Sequence, residues 1–129
     1  VRTVRIEALT MADMSRREIL PAVAAFTAAL AEGAAKKRAL EPEAACAYEA
    51  KLIRRLSALT DGAEEKTETV EKAVTALDAL SDVTAQACFV RDTLLPGMAQ
   101  LRAVCDEAET LTAAEYWPFP TYGDLLFGV

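Results

Sequence analysis

An all-α fold, an antiparallel bundle of about four helices with an irregular aromatic tail, is what this 129-residue chain predicts. Apolar residues recur every three or four positions over most of its length. Ala, Leu, Glu and Arg, all good helix formers, fill much of the rest. Nothing before the tail alternates as a strand does. A hydrophobic fraction of 53% supplies one core, so a single domain is expected over 1–129, with a bundle over 1–114 and the tail over 115–129.

The first helical pattern runs from Val4 to Arg38 and places Ile19, Val23, Phe26 and Leu30 on one face. Pro21 lies inside it and predicts a kink or a restart, because an interior proline loses a hydrogen bond and clashes with the preceding turn. Gly33 weakens its far end, and Glu41-Pro42 separates it from the next helix. A second helix is expected from Pro42, where proline suits a first turn, to about Thr60, with Ala45, Tyr48, Leu52, Leu56 and Leu59 inward.

Asp61-Gly62 ends that helix, and Asp61 caps a third, with Glu64 completing a capping box. Val70, Val74, Leu77 and Leu80 continue the stripe, while Glu68 and Lys72 form an exposed pair in the favourable order. Ser81-Asp82 offers the next cap. After it, Val83, Ala87, Val90, Leu94, Met98, Leu101, Cys105, Ala108 and Leu111 make the strongest periodic signal in the chain. No glycine or proline parts the third helix from the fourth, so one long bent helix is the alternative there.

One string recurs. RREILPAVAAF, from Arg16 to Phe26, is echoed by RDTLLPGMAQL, from Arg91 to Leu101, with proline in register. The echo predicts two similarly kinked helices packed side by side; coincidence between two Ala- and Leu-rich helices is the alternative.

Composition excludes several functions. The chain has no histidine, which removes Ser-His and Cys-His nucleophile pairs, the common zinc sites and the Glu-x-x-His signature of di-metal bundles. A net charge of -6 argues against nucleic acid, whose phosphates attract basic surfaces. The longest apolar stretches are short, Ala-rich and flanked by charges, so no membrane span and no cleavable signal are expected. Cys46, Cys88 and Cys105 lack CxxC spacing and read as reduced, buried thiols of a cytoplasmic protein.

Glu64, Glu65, Glu68 and Glu71, interleaved with Lys66 and Lys72, read as a solvated helix face and not as metal ligands. Lys36, Lys37 and Arg38 suit a helix C-terminus, and Arg54 and Arg55 suit an interface. With no Gly-rich phosphate loop and no GxSxG elbow, no catalytic, cofactor or metal residue is assigned.

The tail is the anomaly. Only 6% of the chain is aromatic, yet Tyr116, Trp117, Phe119, Tyr122 and Phe127 crowd into EYWPFPTYGDLLFGV. Pro118 and Pro120 bias the backbone to extended conformations, and Tyr122-Gly123-Asp124 reads as a turn before Leu125, Leu126 and Phe127. Their PxP spacing does not match the PxxP of SH3-type ligands. Burying each large ring contributes about 2 to 3 kcal/mol before ordering costs, enough to hold a strap. It either docks on another domain or subunit, through Tyr116, Trp117, Phe119, Tyr122, Leu125, Leu126 and Phe127, or folds back over its own bundle.

YWPFPTYGDLLF, together with EALTMADMSRREILPAV from Glu7 to Val23 and VRDTLLPGMAQLR from Val90 to Arg102, resembles the C-terminal domain of type III glutamine synthetases. The resemblance implies a fragment of a larger polypeptide, a glutamate-ammonia ligase that consumes ATP, uses divalent metal (Mg) and assembles as stacked hexameric rings. The family's catalytic, nucleotide and metal residues lie before this domain, and none carries over. What it implies here is a non-catalytic helical appendage whose partners are the catalytic domain of the same polypeptide and neighbouring subunits of a homo-oligomer. The alternative is a free-standing helical adaptor with no enzymatic role.

Overall fold

The computed structural model describes residues 1–120. Among them the chain forms three helices and no strand: α1 over Arg2–Leu40, α2 over Ala47–Asp78 and α3 over residues 83–111. The all-α expectation holds, but the count is three and not four.

Each outer helix passes its proline without stopping. In a regular helix the proline ring collides with the carbonyl four residues back. Here a π turn, Ser15–Ile19 in α1 and Val90–Leu94 in α3, widens the register just before it. The Leu20 N–H donates to the Ser15 carbonyl and the Leu95 N–H to the Val90 carbonyl, each five residues back. The two π turns hold the same position relative to Pro21 and Pro96, so the echoed strings share a backbone conformation. Both turns pack against α2, and Ile19 from one lies against the cluster containing Val90 and Leu94 from the other.

The break expected at Asp61-Gly62 is absent, because α2 runs through it. A glycine inside a helix costs about 1 kcal/mol. That is small beside the seam on either side of it, where Leu56, Leu59, Ala63, Thr67, Val70, Val74 and Leu77 are all buried. Nor does α2 begin at Pro42: Pro42 and Glu43 form a turn, and Cys46, at φ 50°, precedes the first helical residue, Ala47. The inward assignments of Ala45 and Tyr48 fail accordingly. Tyr48 is 69% exposed, and Glu49 takes the inner position, its carboxylate receiving the Lys37 ammonium at 2.5 Å. The Ser81-Asp82 break is present, with Asp82 accepting from the Ala85 N–H at 2.8 Å. Val83 is 75% exposed in that first turn, and Ala87 is exposed as well, so the α3 stripe starts at Val90.

Side-chain pairs record the direction of the chain. Arg5 meets Asp78, Arg16 meets Glu71 and Lys37 meets Glu49, so partner numbers fall along α2 as they rise along α1. The two helices are antiparallel, as are α2 and α3, where Arg55 meets Glu107, Gly62 faces Val104 and Val70 faces Gly97. Ser15, fully buried, sits 2.7 Å from the Thr67 hydroxyl. The Thr67 proton is committed to the Ala63 carbonyl, so Ser15 donates to Thr67 and both polar groups are satisfied inside the core.

The core has two parts. One joins all three helices around Val70, Val74, Leu77, Leu94 and Leu101; the other holds Val23, Leu56, Leu59 and Ala108. Because α3 ends at Leu111 beside Arg55, α1 and α2 continue past it as a hairpin. Leu40 at its tip is 91% exposed. An 18-residue window of α1 has mean hydropathy 1.3 and is only 6% buried, long and apolar enough by composition to cross a membrane, against the expectation that none would be. Much of that hydropathy comes from alanines, each of which offers little apolar area.

Gly62→Ala tests the continuous α2. The new methyl meets Val104 at an ordinary 3.9 Å, so stability should rise by about 1 kcal/mol in denaturant unfolding, whereas a turn at Gly62 would make it fall. The Arg16 guanidinium holds the Glu71 carboxyl below the usual carboxylate range, and Arg5 does the same for Asp78. Stability from these pairs is present above the ordinary carboxylate range and is lost as pH falls through the depressed values. Glu71→Gln should flatten the acid limb of a stability profile by no more than about 1 kcal/mol, since the pair is open to solvent.

Candidate docking groove

Beyond α3 the chain turns back on itself. Thr112 is extended, and the Tyr116 and Trp117 N–H groups donate to the Ala113 and Ala114 carbonyls at 2.9 and 3.2 Å. This turn lays Tyr116 against Phe26, ring centroids 5.3 Å apart at 49°, a tilted aromatic contact. Trp117 packs on the cluster of Val23, Leu56, Leu59 and Ala108. The first two tail rings therefore cover the place where α3 runs out. The Thr112 hydroxyl is buried there with no hydrogen-bond partner among the described residues. Of the tail residues expected to dock, Tyr116, Trp117 and Phe119 fall within the described part; Tyr122, Leu125, Leu126 and Phe127 lie outside it.

Trp117 and Phe119 also line a groove of about 570 Å³ between the first half of α1 and the second half of α3. Met11, Ile19, Met98 and Leu101 line its floor with Cys105, and Ile6 and Met14 stand on its α1 wall. Ile6 is 54% exposed and Met14 36%, so apolar surface continues onto the lip. Glu7, Arg102, Asp106 and Glu109 line it as well, and none of the four forms an ion pair among the described residues.

All three methionines of the chain and its single tryptophan meet here. Methionine is unbranched and polarizable, and it adapts to the shape of an apolar ligand. Trp117 and Phe119 stand out in the sequence as rare aromatic residues, whereas the α1 wall does not. The available signal was the spacing of Ile6, Thr10 and Met14, four residues apart on one helix face.

Among the described residues no group of three or more His, Cys, Asp or Glu is arranged to hold a metal ion. Of the four glutamates in the α2 run, Glu71 pairs with Arg16 and Glu68 with Lys72 at 2.8 Å, while Glu64 and Glu65 are exposed. Cys105 is buried, and burial, with a contribution from Asp106, pushes its thiol up to about 11. Cys46 is half-buried and Cys88 exposed, so the expectation of three buried cysteines holds for Cys105 alone.

No family model matches the chain, and no solved structure matches it. Among curated proteins it is 26% identical over 128 residues to a glutamine synthetase of Butyrivibrio fibrisolvens. That match covers 99% of this chain and 18% of the relative, so the chain resembles a segment of a glutamine synthetase and spans less than a fifth of its length.

The cysteines give a direct check on this geometry. At pH 8, iodoacetamide should label Cys88 readily and leave Cys105 unmodified, since a pKa of about 11 leaves only about one thiol in a thousand ionised and burial blocks the rest. Mass spectrometry should show Cys105 labelling only once denaturant opens the bundle.

Proposed function

We propose that this chain is the C-terminal, non-catalytic helical domain of a type III glutamine synthetase. In this reading it docks on the catalytic domain of its own polypeptide and supports assembly with neighbouring subunits. The match of nearly the whole chain to 18% of a glutamine synthetase carries the proposal. The parent enzyme is then a cytoplasmic ligase making glutamine from glutamate, ammonia and ATP, with Mg or another divalent metal at a site outside this chain.

Two physical features support a docking role over a catalytic one. Having no histidine anywhere, the chain lacks the commonest general base and metal ligand. Its α1–α2 hairpin also runs past the end of α3 with Leu40 and Tyr48 exposed and an apolar α1 window scarcely buried, as expected of a surface covered by another body. The tail extends this surface: Tyr116 and Trp117 anchor its root to the bundle, which leaves Phe119 and the residues after it as the candidates for reaching another domain.

Deleting residues 116–129 from the parent enzyme should lower its melting temperature and shift its mass distribution towards smaller assemblies. Loss of Tyr116 and Trp117 packing lowers melting by itself, so the assembly state is the deciding readout. An unchanged oligomer with unchanged ligase activity would overturn the docking role. Glutamine formation by this chain alone would overturn the assignment as non-catalytic.

A further inference from the structure

We propose that the groove between α1 and α3 receives one amphipathic helix with basic flanks, supplied by the body on which this domain docks. The inference rests on the docking role above and gives it a surface and a partner chemistry.

Shape comes first. The groove follows α1 from Ile6 to Ile19, about 20 Å of helix, which matches three to four turns of a partner laid along it. Its floor is apolar and rich in methionine, and Ile6 and Met14 are exposed on one lip where a second helix face covers them. The rigid ring of Trp117 also lines it.

Charge selects the partner. Three acids, Glu7, Asp106 and Glu109, stand against one base, Arg102, and none of them is neutralised by an ion pair among the described residues. On the α2 side of the bundle the arrangement is the reverse, with Arg5, Arg16 and Arg55 each closed onto a carboxylate. An apolar trough between uncompensated acids attracts a helix carrying Lys or Arg beside its apolar stripe and repels one carrying Glu.

Trp117, the single tryptophan, reports on the site by its own fluorescence. Two helical peptides with the same apolar stripe, one flanked by Lys and one by Glu, are titrated into the chain. The Lys-flanked peptide should shift Trp117 emission and saturate; the Glu-flanked one should bind at least about tenfold more weakly. The paired change Asp106→Asn and Glu109→Gln should narrow that difference about tenfold, and Ile6→Lys, at an exposed position, should abolish binding without unfolding the bundle. Leu40→Lys at the hairpin tip should change nothing.

Equal binding of both peptides, or of neither, overturns the proposal. Tight binding that appears only after residues 121–129 are removed assigns the groove to the chain's own tail instead. Concentration-dependent dimerisation lost in the Ile6→Lys variant assigns it to a second copy. Peptide binding reads the groove alone, while truncation of the parent enzyme reads docking, so the two ideas fail separately.

Discussion

The buried seam of α2, from Leu56 to Leu77, is the surface on which both outer helices pack. It runs as one line because α2 is unbroken through Gly62, and each outer helix keeps its apolar face on that line while carrying a proline. The π turns meet both demands. They make room for the proline ring and keep Val23 on one helix, and Met98 and Leu101 on the other, inside the core. Where the seam carries a polar residue, Thr67, it is matched by Ser15 at the first residue of a π turn, so Ser15 donates to Thr67 and Thr67 to the Ala63 carbonyl.

Unequal helix lengths produce the exposed apolar surfaces of the bundle. Since α3 ends near Arg55, the upper part of α1 and α2 has no third helical layer among the described residues, and the Tyr116 and Trp117 rings cover its base. On the other side, α1 and α3 diverge enough to leave the methionine-lined groove. Both features leave apolar area uncovered among the described residues. The docking role proposed above rests on these two surfaces and on the match to part of a longer glutamine synthetase.

Much of the candidate site was visible in the sequence as a compositional anomaly. Tyr116, Trp117 and Phe119 stood out because aromatic rings are scarce elsewhere, and all three lie at the end of the bundle or in the groove. The α1 wall was not singled out. Ile6, Met11 and Met14 look like any apolar residues of a helix until α3 brings Met98 and Leu101 opposite them, some ninety positions away in the chain. Periodicity identifies which residues share a face, but it does not say how far apart two faces stand.

Helix type, the seam of α2 after Leu56, the cap at Asp82 and the repeated proline string were determined by the sequence, because local spacing, capping and proline sterics act over a few residues. Only the tertiary structure decided that Gly62 lies inside a helix and that Glu49 and not Tyr48 turns inward. The first depends on burial along both flanks outweighing a local cost, the second on Lys37 arriving from another helix to hold a carboxylate. The π turns belong to the same class. Proline forbids the regular hydrogen bond locally, but whether the helix stops, bends or widens its register is settled by what the next turn can bury against α2.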